Sequence, residues 1–232
     1  MKRLFCKTLF FVLFILLIFS LSSSAAKSHH SRYLVVVDPA HGGRDRGVKL
    51  SKKFSEKDVT LAIAGLLKKS LNSSGNIKVL LTRSDDRYVS TSDRVKIAKR
   101  SDTNMFISLH INAGFGRSSS GFEVYFPGFK SPSAGKDKDA SKQILSDMVS
   151  TKYLNESVRL AQIIQKNMGK IFRRKDRGLR NAPILVLEGL TIPAVVLEIG
   201  FATNVRDRKE LLDKNIQKSI ARALAKSIKE FF

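Results

Sequence analysis

The stretch Val35-Val36-Val37-Asp38-Pro39-Ala40-His41-Gly42-Gly43-Arg44-Asp45-Arg46-Gly47 constrains the fold more than any other: a β-branched apolar run stops abruptly in a Gly-rich turn that holds one histidine. Such a run reads as a strand that delivers His41 to its C-terminal end. In open α/β sheets, ligands bind in the crevice beyond the carboxyl ends of the strands, so the position suits chemistry. His41 is therefore a candidate zinc ligand, and the remaining chain must supply its partners.

The pattern continues as an alternation of helix and strand. Ser55-Glu56-Lys57-Asp58 opens an amphipathic stretch that runs to Leu71, with Ser55 as the expected N-cap and Asp58 three residues on. Ile77 to Leu81 reads as the next strand, which makes a βαβ unit and hence a parallel sheet. Residues 90 to 100 read as helix, Met105 to Leu109 as a strand ending at His110, and Gly121 to Phe126 as another strand. Pro127 to Ser141 is rich in Gly, Pro, Ser and Lys and reads as a surface loop, with a helical turn or two expected over Lys142 to Val149. A helix over 155 to 172 is broken by the basic cluster Arg173 to Gly178, for which a solvated loop and a substrate contact are equally good readings. Pro183 to Leu187 and Ala194 to Leu197 are two further apolar runs, and helices close the chain near 206 to 213 and 215 to 231. No internal repeat or second domain is visible. The expected fold is α/β: a single domain with a twisted, mostly parallel sheet of about six strands and helices on both faces.

The N-terminus has its own logic. Met1 to Lys7 is basic, Leu9 to Phe19 is apolar without interruption, and Ser22 to Ala26 is a run of small residues. That is the pattern of a secretory signal peptide, 1–26, cleaved after Ala26. Residues 27–32 then form a polar, flexible start, and His29-His30 belongs to it rather than to a site. The domain of interest is 33–232. Cleavage removes Lys2, Arg3 and Lys7 and no acid, so the formal charge of +22 becomes +19. The sole cysteine, Cys6, leaves with the peptide, so the exported domain is expected to rely on its hydrophobic core rather than on disulfides. Its charge favours anionic partners. In the periplasm or the extracellular cell envelope these are peptidoglycan, anionic wall polymers or lipid headgroups, with no nucleic acid. A monomer is expected.

Two histidines remain beyond residue 32, and both follow strand-like runs. Parallel strands end on one edge of a sheet, so His41 and His110 are expected to meet. Hydrolytic zinc takes three protein ligands and keeps a fourth position for water; the third ligand is a carboxylate, and spacing alone leaves Glu56, Asp45 and Asp38 open. Glu198 follows Pro193 to Leu197 and precedes Ile199-Gly200-Phe201. An acid within an apolar stretch is either salt-bridged or functional; beside a metal it would serve as a proton acceptor and donor.

These residues, in this order, resemble the zinc-dependent N-acetylmuramoyl-L-alanine amidases of the type 3 class, which are bacterial cell-wall hydrolases. Val37 to Gly43 with Asp45 and Gly47 resembles the first ligand motif, and Ser55 to Asp58 the segment with the carboxylate ligand. Thr82-Arg83, Asp86 and Arg94 lead to Phe106 to Ala113, similar to the second histidine motif. Arg177 to Arg180 and Pro193 to Asn204 resemble the late motifs, the last carrying the catalytic glutamate. Arg46 stands where proline is usual and Thr203 where serine is commoner. The resemblance implies one Zn2+ held by His41, Glu56 and His110, and Glu198 as the catalytic residue. It also implies hydrolysis of the amide between N-acetylmuramic acid and L-alanine of the stem peptide. The other reading is a non-catalytic cell-wall-binding or regulatory protein on the same fold. Gly42 and Gly43 are expected to let the backbone turn closely around the metal.

Overall fold

The structure is a computed structural model and describes residues 32–73, 75–100, 102–128, 140–172 and 175–232. The signal peptide and nearly all of the flexible start fall outside the described residues. Strands β1 (Tyr33–Pro39), β2 (Ile77–Leu81), β3 (Thr103–Asn112), β4 (Phe122–Pro127), β5 (Asp176–Ala182) and β6 (Ala194–Phe201) form one sheet in the order β2-β1-β3-β6-β4-β5. The first four in that order are mutually parallel, β4 runs antiparallel to β6, and β5 runs parallel to β4. The starts of β4 and β5 therefore lie on the edge where β1, β3 and β6 end.

Alternation along the strands sorts the apolar residues onto two faces. One face carries Val35, Val37, Ile107, Leu109, Val195 and Leu197 and packs against α1 (Glu56–Asn72), α3 (Ala140–Gly169) and α5 (Lys214–Phe231). Helix α5 contributes Ile220, Leu224, Ile228 and Phe231, the stripe its spacing predicts. The other face carries Val36, Phe106, Ala194 and Val196 and is covered by α2 (Thr91–Ala98) and a 3-10 turn at Leu185–Leu187. Each fully buried Val, Leu or Ile contributes about 1.5–3 kcal/mol, so this double-sided burial is the main source of stability. The reach-back half of the α1 cap forms as expected, with the Asp58 carboxylate accepting from the Ser55 N–H at 2.8 Å. A short helix, α4 (Val205–Leu212), precedes α5.

The structure corrects three boundaries. The fifth strand is Asp176–Ala182, not the apolar run Pro183 to Leu187, whose core is the 3-10 turn. Strand β5 borders the sheet, so main-chain pairing to β4 defines it and no apolar run is needed. The expected helical turn over Lys142 to Val149 is continuous with the 155 to 172 helix, forming one helix of 30 residues. Finally, β3 and β6 continue past His110 and Glu198, so these residues lie within strands rather than after them.

Candidate metal centre

His41 follows β1 by two residues and adopts φ +62°, the only positive φ of a non-glycine among the described residues. That conformation costs free energy in an L-residue, and here neighbouring cations hold it. Arg94 donates to the carbonyls of Pro39 and His41, Arg83 to those of Pro39, Ala40 and Lys57, and the Lys57 ammonium to that of Gly43. Arg94 also pairs with Asp38, which accepts hydrogen bonds from the Thr82 and Ser108 hydroxyls. Asp38 is thus the buried counter-charge of this clamp, which removes it from the three carboxylates that spacing left open.

Glu56, the first residue of α1, is only 2% exposed. Its Oε2 accepts from the Val48 N–H at 3.0 Å and its Oε1 from the Ile111 N–H at 2.9 Å. The same two oxygens face the histidines: His41 Nε2 lies 3.1 Å from Oε2 and His110 Nδ1 lies 3.2 Å from Oε1. Asp45 takes the other side of His41, with Oδ2 at 2.8 Å from Nδ1. Among the described residues His41, Glu56 and His110 form a group whose donor atoms all lie within 4.8 Å of one another.

Burial opposes the Glu56 charge, yet the hydrogen bonds to His110 and His41 hold its pKa down at about 2. Burial likewise works against protonated His41, but Glu56 and Asp45 raise it above its ordinary value. Glu198 is the register partner of His110 across β3 and β6, and the ladder slips between His110 and Asn112, an irregularity of the sort that re-aims side chains beside active sites. Burial, reinforced by Glu56 and Glu123, pushes Glu198 up to about 7 against the pull of His110 and His41. Its Oε2 is buried with no hydrogen-bond partner among the described residues.

These observations fit a divalent ion of the zinc type. Two imidazole nitrogens and a carboxylate are its usual donors, and donors about 2.1 Å from one tetrahedral ion lie roughly 3.4 Å apart, close to the 3.1 and 3.2 Å found here. The Asp45 carboxylate beside Nδ1 favours a proton there, the tautomer that would leave Nε2 able to ligate. An orphaned buried carboxylate oxygen costs about 1–3 kcal/mol and is kept where a ligand needs it.

One expectation is corrected. Gly42 and Gly43 turn closely, but against the Arg87 and Tyr88 backbone rather than around the donors. The glycine that touches the donors is Gly47, at φ +61°, where a Cβ would fall 2.5 Å from Glu56 Oε2 and 2.6 Å from His41 Cδ2. Its sequence signal was the third glycine of the turn, six residues beyond His41.

Comparison with known proteins agrees with the geometry. A family model described as N-acetylmuramoyl-L-alanine amidase matches residues 35–230. The amidase AmiA of Escherichia coli K12 is 30% identical over 232 residues, covering 91% of this chain and 80% of that protein. AmiC of an E. coli O6:H1 strain is 27% identical over 219 residues, covering 86% of this chain; this chain spans only 52% of AmiC, about half its length. The solved catalytic domain of the amidase CwlV, from Bacillus (Paenibacillus) polymyxa var. colistinus, superposes with a TM-score of 0.71 at 30% identity. The match covers 86% of this chain and 97% of that domain.

Proposed function

The chain belongs to the N-acetylmuramoyl-L-alanine amidase family, and from that premise we propose that it is a peptidoglycan hydrolase cutting the amide between N-acetylmuramic acid and L-alanine of the stem peptide. The observation that carries the proposal is the convergence of His41, Glu56 and His110 beside a buried, unpartnered Glu198. In this reading the three hold one zinc ion. The chemistry that zinc supplies in such a donor set is Lewis acidity toward a carbonyl oxygen and toward water.

The protein's own groups do the rest. Glu198 takes the proton of the attacking water and returns it to the L-alanine nitrogen as the amine leaves. Asp45 holds His41 in the ligating tautomer, and the Arg83–Arg94–Lys57 clamp fixes the loop that carries it. A purely wall-binding role gives no reason to keep Glu198 buried without a partner.

The same reading places the protein in the cell envelope, exported by the 1–26 signal peptide, with 33–232 as the catalytic domain. Among the described residues no helix is long and apolar enough to cross a membrane. The basic surface serves attraction to peptidoglycan and to anionic wall polymers or lipid headgroups, and the protein acts as a monomer.

Mass spectrometry of digested peptidoglycan tests the bond and the metal together. Free stem peptides with an L-alanine amino terminus should appear, and should vanish with chelator and return with added zinc. Glycan fragments still carrying their peptides would reject the proposal. A second expectation concerns Gly47→Ala, which thrusts a methyl group between His41 and Glu56. Zinc affinity, measured by competition with a chromogenic chelator, should fall roughly tenfold or more, and an unchanged affinity would show that the donors do not need this close approach.

A further inference from the structure

Beside the donor cluster lies a second group of charges that the chemistry above does not use. Glu123, 3% exposed, is the register partner of Glu198 across the antiparallel β4–β6 pair. By strand alternation His110, Glu198 and Glu123 lie in a row on one face across three neighbouring strands. Strand β5 continues the row. Arg177 Nε donates to Glu123 Oε1 at 2.6 Å, Arg180 Nη2 lies 3.3 Å from the same oxygen, and the Tyr125 hydroxyl donates to Oε2 at 2.8 Å.

Two guanidinium groups therefore share one carboxylate, which leaves an excess positive charge on β5 next to Glu123. The Arg177 guanidinium also sits over the Phe201 ring, 5.0 Å from its centroid. Held at Nε and across its face, it is fixed in plane, while among the described residues no hydrogen bond uses its Nη1 or Nη2. The side chains of Arg177 and Arg180 are 36% and 46% exposed, so solvent or ligand reaches both. A planar, pre-oriented fork of this kind matches the two oxygens of a carboxylate.

We infer that Arg177 and Arg180, set in place by Glu123, form a subsite for a carboxylate on the peptide arm of the substrate. The inference rests on the amidase reading of the adjoining site, and substrate chemistry selects the arm. The lactyl carboxyl of muramic acid is consumed in the scissile amide, so the glycan at the cut is uncharged and the free carboxylates belong to the peptide. In this scheme Glu198 protonates the departing amine, so the peptide attached to that amine leaves the reacting centre on the Glu198 side, toward Glu123 and β5. Glu123 is a positioning residue in this scheme, and the arginines contact the substrate.

The test uses the full chain loaded with zinc and two muropeptides that differ only in whether the stem-peptide carboxylate nearest L-alanine is free or amidated. The unsubstituted protein should favour the free carboxylate roughly tenfold or more in kcat/KM. Arg180→Gln, and separately Arg177→Lys, which keeps the charge and removes the fork, should erase that preference through KM rather than kcat. A preference that is absent at the outset, or that survives both substitutions, overturns the subsite. So does an equal loss on both substrates, which would mean that the arginines only brace β5. Calorimetry of the corresponding free peptides against Glu198→Gln protein reads the subsite without turnover. If neither muropeptide is cut, the amidase reading fails, and equal affinity of the free and amidated peptides separately overturns the subsite.

Discussion

Replacing Glu198 by glutamine is expected to lower kcat roughly a thousandfold while zinc content and the folded structure persist. The substitution keeps the shape of the side chain and removes its ability to take a proton, and no hydrogen bond reaches its buried Oε2 among the described residues. Turnover within tenfold of the unsubstituted protein at matched zinc content would take Glu198 out of the proton-transfer role. A second readout comes from the metal-free protein. The folded pKa is about 7 against an ordinary 4.5, so the folded state resists ionisation that the unfolded chain allows. Stability from this group is complete below pH 4.5 and is lost as the pH rises through about 7. The glutamine variant should lack that loss when Tm is followed across the same range.

Glu56→Ala should have the other large effect, removing zinc and activity together. Both Glu56 oxygens face histidines, and both also accept main-chain N–H groups, from Val48 and Ile111. The alanine variant should retain no stoichiometric zinc by atomic absorption and show only background hydrolysis. It should also unfold at lower denaturant, because each stranded N–H costs about 1–3 kcal/mol. The Glu56 carboxylate supports the metal-free fold above its ordinary pKa of 4.5, and that support fades as the pH falls toward about 2. Stoichiometric zinc in Glu56→Ala would transfer the carboxylate role to Asp45, the other acid in contact with His41.

The sheet and the reactive groups were legible in the sequence for different reasons. Strands β1, β3 and β6 declare themselves as apolar runs because both faces of the sheet are covered, and His110 and Glu198 stand out as polar residues within such runs. Strand β5 was not legible. Asp-Arg-Gly-Leu-Arg-Asn-Ala has no apolar run, since the strand is paired to β4 alone and carries its side chains half in solvent. The helical turns over Lys142 to Val149 were legible, but their continuity with the helix that follows was not, because Ile144, Leu145 and Met148 are exposed and form no buried stripe. Spacing could not choose among Glu56, Asp45 and Asp38, because that choice depends on contacts between distant segments: Asp38 with Arg94, Asp45 with the far side of His41, Glu56 with Val48 and Ile111. Residue type pointed to the proposed chemistry, and tertiary contact brings the candidate residues together.

The backbone clamp around His41 has a consequence for the order of events in the life of the protein. Small zinc domains commonly fold only when the ion arrives, so that losing it means unfolding. Here the carbonyls of Pro39, Ala40, His41 and Gly43 are held by arginine and lysine side chains, and Glu56 is anchored by amides that no ion supplies. On the proposed zinc reading, maturation would proceed in two independent stages, polypeptide first and cofactor second. A molecule stripped of its ion would, on that reading, keep its donors in place and take up zinc again without refolding, so zinc supply would throttle wall cutting without consuming the protein.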